Sequence, residues 1–364
     1  MFYVAKKYFG RFGITIGCPD CQGRSKRYGK RNRRQRYRCL NCGHVFFRRQ
    51  SRLPVAFRDF RAFRQYAVKT VDQETLYVRL KFSRQTLSAK FNLFLLLPPP
   101  PELVNAVVIP TCCSITPWVY GFDGKWLGRS PILLIHRDVI NKETLWWSVA
   151  FSESMAAVRS DLLGLIGNCP GLIPPAGAVT DGKPGIAAVI KNIFHLDYCQ
   201  RCLVHVTRDL KKYLPLHSPF EATQELRSVS LALPEINTWG EKENYLVTLT
   251  KWHKRYGYLL KQRSYPVPGS GVKRRWWYTH GNLRRAWRLL TKDTGSLFHF
   301  LDNPLVPKTN NSLEGVNRHL RRRNGMGKGK QLSLMMWRLA FSRIKTERQL
   351  TILWAYWKKS FKPN

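Results

Sequence analysis

Gly177-Ala178-Val179-Thr180-Asp181-Gly182-Lys183 is the stretch on which the reading of the fold turns. Its small and β-branched residues predict a short buried strand, and a carboxylate follows where Gly182 ends it. Asp-Gly alone is an ordinary turn signal. It gains meaning from two distant acids, Asp123 and Glu314, whose settings can bring them to the same place.

Asp123 falls within Trp118–Leu127, a predicted strand. Ile132–His136 predicts a second strand and Thr144–Phe151 a third, with turn residues between them, so an antiparallel meander is expected. Ser154–Ile166 then reads as a helix with Met155, Val158, Leu162, Leu163 and Ile166 on one face. The Asp181 strand follows, and then a helix over Ile186–Ile193. Three strands, a helix, a strand and a helix predict a mixed sheet flanked by helices, in which the first and fourth strands can be neighbours. Glu314 sits in Thr309-Asn310-Asn311-Ser312-Leu313-Glu314-Gly315-Val316-Asn317-Arg318, where Asn311 or Ser312 can cap a helix whose first turn holds the acid. Alone, such an acid is also a plain helix-dipole partner.

The 364 residues are enough for two or three domains, and 44% hydrophobic residues can supply a core. Lys and Arg number 62 against 22 Asp and Glu, a net charge of +40. Such an excess points to a polyanionic partner, with nucleic acid ahead of a membrane surface or ribosome-like RNA packing. Residues 1–100 hold 23 basic and 4 acidic side chains, residues 111–207 hold 8 and 7, and residues 208–364 hold 31 and 10. A nearly neutral centre that gathers carboxylates between basic flanks suits an enzyme acting on nucleic acid better than a passive coat.

Nine cysteines in a chain of this size do not read as a disulfide framework. No secretory signal is visible, and the apolar run Leu93–Leu97 is too short to span a bilayer. A soluble, reducing compartment is expected. Cys18-Pro19-Asp20-Cys21 and Cys39-Leu40-Asn41-Cys42 have the spacing of a four-thiolate zinc site, two knuckles joined by a hairpin, with folding coupled to the metal. His44 reads as a neighbour of that site. The intervening segment Arg24–Arg38 has nine Lys or Arg in fifteen residues, among them Arg31, Arg33, Arg34 and Arg36. It is either a solvated face or, on a zinc ribbon, a phosphate-contacting surface.

Three helices are expected over 55–97: Val55–Thr70, Gln73–Lys81, and one capped by Ser83 that runs through Phe94. The tight Phe82-Ser83 turn fits a helix-turn-helix that presents Arg84, Gln85 and Lys90 to DNA, or else an ordinary three-helix bundle. Pro98–Pro101 reads as a stiff linker.

The order Asp123, Asp181, Glu314, with glycine after both aspartates, resembles a DDE transposase with a ribonuclease H-like core. Cys202-Leu203-Val204-His205 and Asn310-Asn311-Ser312-Leu313-Glu314-Gly315 are similar to motifs of the Mutator-like transposases of bacterial insertion sequences. The resemblance covers about 120–345, and the N-terminal arm resembles that of a zinc-ribbon subgroup. It implies binding to double-stranded DNA at terminal inverted repeats, strand cleavage by hydrolysis, and strand transfer into target DNA without a covalent protein–DNA intermediate. It also makes His205 a catalytic-region residue. Three clustered carboxylates repel one another and stay ionised only beside cations. Two Mg²⁺ or Mn²⁺ ions, roughly 4 Å apart, suit such hard oxygen ligands. Cys199, Cys202 and His205, three residues apart, would lie along one side of a helix and invite a second zinc site lacking an evident fourth ligand.

Between Asp181 and Glu314 lie 132 residues, more than such a core needs. Thr207–Leu214, Glu221–Leu233, Glu241–Arg263 and Asn282–Leu290 predict an α-helical insertion. It carries Lys273-Arg274-Arg275-Trp276-Trp277-Tyr278, aromatics among cations that either stack exposed bases or pack the insertion. Arg321-Arg322-Arg323 opens a basic loop, and Gln331–Lys358 predicts one long amphipathic helix that packs on the core or on a second subunit.

The expectation is a multidomain α/β protein: a zinc ribbon (1–52), a helix-turn-helix-like domain (53–97), a linker (98–112), a ribonuclease H-like core (113–207 and 305–364) and an α-helical insertion (208–304). Expected cofactors are structural Zn²⁺ and catalytic Mg²⁺ or Mn²⁺. A homodimer or larger assembly on DNA, in the bacterial cytoplasm with the nucleoid and away from membranes, completes the reading. The alternatives are an inactive zinc-ribbon DNA-binding regulator and a ribonuclease H-like nuclease.

Overall fold

The computed structural model describes residues 18–360 except 19, 22, 32–33, 48–54, 114–116, 269–270, 272, 274 and 321–325. The protein is mixed α/β. Two compact units are distinguished: Met1–Thr116 with Asp123–Ile173 and Ser312–Asn364, and Pro117–Phe122 with Pro174–Asn311.

The first unit begins with strands β1 (Ser25–Arg31), β2 (Arg34–Cys39) and β3 (Val45–Phe47) in one antiparallel sheet. Helices α1 (Phe57–Ala67), α2 (Gln73–Leu80) and α3 (Arg84–Leu96) follow, close to the expected spans. Asp72 caps α2 by accepting from the Thr75 N–H at 2.7 Å, and Ser83 caps α3 by accepting from the Thr86 N–H at 3.1 Å. The apolar faces of these helices do not close on themselves. Phe60, Phe63 and Phe94 share a core with Trp337, Phe341, Trp354 and Trp357 from the far end of the chain. Phe63 stacks on Phe94 with centroids 4.8 Å apart, and Trp337 donates its indole N–H to the Phe94 carbonyl at 2.8 Å.

Two expectations need correction here. Where a linker is expected at 98–112, helix α4 (Pro101–Val107) forms, with Pro101 in its first turn and Val104 and Asn105 buried. Proline has no N–H to lose at that position and its fixed φ suits a helix start, so the proline run initiates structure. Nor is the tail one amphipathic helix. Helices Lys328–Arg343 and Glu347–Ser360 are separated by Ile344-Lys345-Thr346. Thr346 and Gln349 form a reciprocal cap: Thr346 Oγ1 accepts from the Gln349 N–H at 3.2 Å, and Gln349 Oε1 accepts from the Thr346 N–H at 3.1 Å. The first of the two helices is buried nearly all round, because it is shared by the aromatic core above and by a second cluster with Leu127, Leu133, Ile135 and Trp147.

Strands β4 (Tyr120–Trp126), β5 (Ile132–Asp138), β6 (Glu143–Ala150), β7 (Ala178–Thr180) and β8 (Cys199–Arg201) form a five-stranded mixed sheet in the order β6-β5-β4-β7-β8. In the first unit β5 and β6 pair antiparallel, and helix α5 (Met155–Asn168) follows, capped by Ser154. In the second unit the start of β4 pairs parallel with β7, Tyr120 opposite Ala178 and Gly121 opposite Val179. β8 pairs parallel with β7, Cys199 opposite Ala178. β8 is absent from the sequence-based expectation, because three residues are too short to display a strand period.

The rest of the second unit is mostly helical: α6 (Pro184–Phe194), α7 (Leu203–Tyr213), α8 (Glu221–Ala232), α9 (Trp239–Tyr256), α10 (Gly281–Thr291) and a short α11 (His299–Asp302). Helices α7 to α10 share a core around Leu210, Leu226, Leu249, Trp252 and Leu290, and Phe300 and Leu301 of α11 pack against it. The helix expected to run to Arg263 stops at Tyr256. A 3₁₀ turn follows, and Arg263–Ser264 (β9) pairs antiparallel with Trp277–Tyr278 (β10). Helix α12 (Asn311–His319) carries Glu314 in its first turn, as expected, but Asn311 and Ser312 lie inside the helix and do not cap it. We number the two C-terminal helices α13 (Lys328–Arg343) and α14 (Glu347–Ser360).

Candidate functional site

The four cysteines of the ribbon converge. Their Sγ atoms all lie within 4.8 Å of one another, with Cys18–Cys42 at 3.5 Å and Cys21–Cys39 at 3.4 Å. A tetrahedral zinc ion with bonds of about 2.3 Å would set its sulfurs about 3.8 Å apart, so the cluster fits a structural metal such as zinc. Both knuckles aim backbone N–H groups at sulfur: Asp20 to Cys18 at 3.4 Å, and Asn41 to Cys39 at 3.3 Å. Burial pushes the Cys39 thiol up, but the N–H groups of Cys42 and Asn41 outweigh it and bring the pKa down to about 7. Gly43, at φ +73°, turns the chain so that its N–H reaches the Cys39 carbonyl at 3.2 Å. His44 stands outside this group, with its Nδ1 2.8 Å from the Asp20 carboxylate. Among the described residues this is the one group of three or more Cys, His, Asp or Glu whose ligand atoms converge.

Arg31 on the hairpin above the cluster is exposed, and Arg36 and Arg38 lie over the Tyr28 ring at 5.4 and 5.5 Å. Arg34 begins β2. Arg33 lies outside the described residues, as do Arg274, Arg321, Arg322 and Arg323.

The three candidates on α3 separate. Gln85 is exposed, and so is Arg84, which pairs with Glu74 at 2.5 Å and covers the Tyr77 ring at 5.1 Å. Lys90 does not face outward. Its side chain is only 7% exposed and its ammonium pairs with the fully buried Asp59 at 2.7 Å, so it belongs to the core. The pattern conceals this, since a lysine on a basic helix reads as surface unless its acidic partner, 31 positions earlier, is known.

Asp123 occupies the outer half of β4 and is half-buried. Its Oδ1 accepts from the Gly124 N–H at 2.9 Å, and its Oδ2 accepts from the Asn317 amide at 2.6 Å. Asn317 lies on α12, three residues after the exposed Glu314. The start of α12 is held by Arg137, whose Nε donates to Ser312 Oγ at 2.6 Å. Burial pulls the Arg137 guanidinium down to about 10, partly opposed by Asp138 and Glu143.

In the second unit Asp181 follows β7. Its carboxylate accepts from the Lys183 N–H at 3.1 Å and faces the Lys183 ammonium at 3.3 Å. Gly182 adopts φ +86°, and a Cβ there would fall 2.5 Å from the Arg201 side chain. The Asp-Gly step is therefore a packing requirement as well as a turn. Arg201 itself is largely buried, which lowers its pKa against the opposing charges of Asp293, Asp209 and Asp181.

Cys199, Cys202 and His205 do not share a helix. Cys199 is on β8, Cys202 is the residue before α7, and His205 is in the first turn of α7. The metal-binding arrangement expected of a common helical side is therefore lost. Burial raises the Cys202 thiol, but hydrogen bonds with His205 and from the Asn310 N–H outweigh it and hold the pKa below the ordinary thiol value. The Asn310 N–H lies 3.2 Å from Cys202 Sγ, and its side-chain amide donates to the Phe122 carbonyl at 3.3 Å.

On the β9–β10 hairpin Lys273, Arg275, Trp276 and Trp277 are exposed. Arg263 covers the Trp276 ring at 4.1 Å and Arg284 the Tyr278 ring at 3.9 Å. Asn317 and Arg201 escaped the sequence reading. The first could have been found from its place one turn after Glu314, whereas nothing local marks the second. No helix among the described residues is long and apolar enough to cross a membrane. Comparison with protein-family models returned no match, and comparison with curated proteins returned none.

Proposed function

We propose that the protein is a DDE transposase that binds the ends of an insertion sequence and cuts and joins DNA with divalent metal, on a ribonuclease H-like core. The observation that carries this reading is the parallel register of β4 and β7, in which Gly121 pairs with Val179. Asp123 and Asp181 each come two residues after one of these partners, and each is followed by glycine. Parallel strands in register carry equivalent positions to the same edge of a sheet, and ligands of open α/β sheets collect outside such strand ends. The fastening of α12 to Asp123 through Asn317 supports Glu314 as the third acid.

The donor set suits Mg²⁺ or Mn²⁺: three carboxylates, with Asp123 already oriented by two donors and Glu314 open to solvent. Held by Asp123, Asp181 and Glu314, such ions would supply Lewis-acid activation of the attacking oxygen and neutralise the leaving one. The chain's own groups do the rest. Lys183 offsets the charge of Asp181, His205 lowers the pKa of the Cys202 thiol at the start of α7 by hydrogen bonding to it, and the ribbon hairpin and the Arg31, Arg36, Arg84, Gln85, Lys273 and Arg275 side chains meet DNA phosphates and edges. Trp276 and Trp277 stack on unpaired bases. The zinc cluster anchors the ribbon hairpin and takes no part in the chemistry.

The test uses DNA that brackets the gene, including any inverted repeats. Wild-type protein should nick that DNA at the repeat ends with Mg²⁺ or Mn²⁺, and Asp181→Asn should abolish nicking with binding nearly unchanged. Normal cutting by Asp181→Asn would remove the triad assignment. Metal-independent binding with no nicking would identify a DNA-binding regulator, and cutting of RNA–DNA hybrids without strand transfer would identify a nuclease.

A further inference from the structure

Asn317 of α12 and Asp123 of β4 both lie in the first unit. Asn317 Nδ2 donates to Asp123 Oδ2 at 2.6 Å. A carboxylate only accepts, so the amide must present its NH₂ there, and the orientation of the side chain is fixed by chemistry. Its Oδ1 then points elsewhere, buried and with no hydrogen-bond partner among the described residues. A buried amide oxygen left unpaired is costly, and such atoms in folded proteins call for a reason. Glu314 and Asn317 are three residues apart on one helix, so they share a side of it. The same helix is anchored independently at its start, by Arg137 on Ser312 and by Leu313, which is fully buried.

We propose that Asn317 is a positioning residue for the metal-binding carboxylates. It would fix the rotation of Asp123 through the Nδ2–Oδ2 hydrogen bond, so that the remaining lone pairs of the carboxylate are presented to a cation. It does not touch the reacting atoms. The proposal rests on the metal-dependent reading above, and it adds that the Asp123 carboxylate is oriented from the helix that carries Glu314.

The test measures Mn²⁺ binding to the full-length, zinc-loaded protein by electron paramagnetic resonance without DNA, alongside thermal unfolding without Mn²⁺. Asn317→Ala should weaken Mn²⁺ binding by about tenfold, the low end of what removing a hydrogen-bond partner of a metal-binding side chain costs. Asn317→Leu, which fills the same space without a donor, should do the same and serves if the alanine variant is unfolded. Ser312→Ala loosens the same helix without touching Asp123, and it should leave Mn²⁺ binding within about twofold of wild type while lowering the unfolding temperature. A role in fastening alone predicts equal shifts in Mn²⁺ binding for Asn317→Ala and Ser312→Ala. That result, or no shift for Asn317→Ala, overturns the proposal. Asp123→Asn separates the two levels: if it binds Mn²⁺ as wild type does, the metal-site reading itself falls. If Asp123→Asn loses binding while Asn317→Ala keeps it, only the role of Asn317 falls.

Discussion

Lys90 and Asp59 form an ion pair of 2.7 Å inside an aromatic core, with the lysine ammonium also 4.7 Å from the Phe82 ring. The same Asp59 oxygen accepts from the Ala56 N–H at 2.9 Å, so one carboxylate both starts α1 and receives α3. A buried pair contributes little over a well-packed apolar substitute, but breaking it leaves an uncompensated charge. Lys90→Ala should therefore destabilise the fold by about 3–5 kcal/mol. Lys90→Met combined with Asp59→Asn should recover most of that, as read by denaturant unfolding. DNA affinity per folded molecule should be unchanged. A Lys90 variant of normal stability with weakened DNA binding would return the residue to the surface role that the sequence suggests.

The ribbon predicts a separable response to metal. None of its described residues belongs to the aromatic core that joins α1 and α3 to α13 and α14. Its documented tie to that part of the unit is the Gly329 N–H donating to the Asp20 carbonyl at 3.3 Å. Cys39→Ser should reduce bound zinc from one ion per chain to none by mass spectrometry. Hydrogen exchange should then rise across residues 18–47 while the helices keep their protection. Loss of helical structure together with the zinc would show that the ribbon is integral to the core.

The hairpin offers a contrast between stacking and packing. Trp276 is 36% exposed and has Arg263 on one face. If the ring holds an unpaired base, Trp276→Ala should cost about 1–3 kcal/mol in binding single-stranded DNA, and Arg263→Ala somewhat less, with little change in melting temperature. If it only packs the hairpin, the melting temperature falls and single-strand affinity stays the same. Fluorescence anisotropy with a short oligonucleotide decides between them.

What could be read in advance depended on how far apart the determining residues lie. Ser83 announced its helix, because a cap is local chemistry. The Cys18–Cys21 and Cys39–Cys42 pairs announced their cluster for the same reason. Thr346 and Gln349 carry an equally local signal, a Thr-x-x-Gln box, and it went unread only because an unbroken apolar pattern on either side suggested continuity. Lys90 lay beyond local reading. Its placement rests on Asp59, 31 positions earlier, and on the Phe82 ring. The carboxylates fall between these cases. Asp123 and Asp181 were marked by their strand-end glycines, whereas the donor that orients Asp123 is Asn317, 194 residues away.

The start of α9 carries a charge whose effect on stability has a definite sign. Glu241 accepts from the Asn237 N–H at 2.6 Å and from the Thr238 N–H at 3.1 Å, while Thr238 Oγ1 accepts from the Glu241 N–H at 3.2 Å. The N–H groups of Asn237 and Thr238 hold the Glu241 carboxyl below its ordinary value in the folded protein. An acid whose folded pKa is depressed stabilises fully above its unfolded pKa, about 4.3 for glutamate, and that contribution is lost as pH falls through the folded value. Glu241→Gln keeps an oxygen acceptor but does not titrate. The variant should melt below wild type at neutral pH, and the gap should close as the solution is acidified below about pH 4. Thermal unfolding of the two proteins from pH 3 to pH 7 measures it, and a gap that stays constant or widens in acid would rule out the carboxylate as the source of the cap's strength.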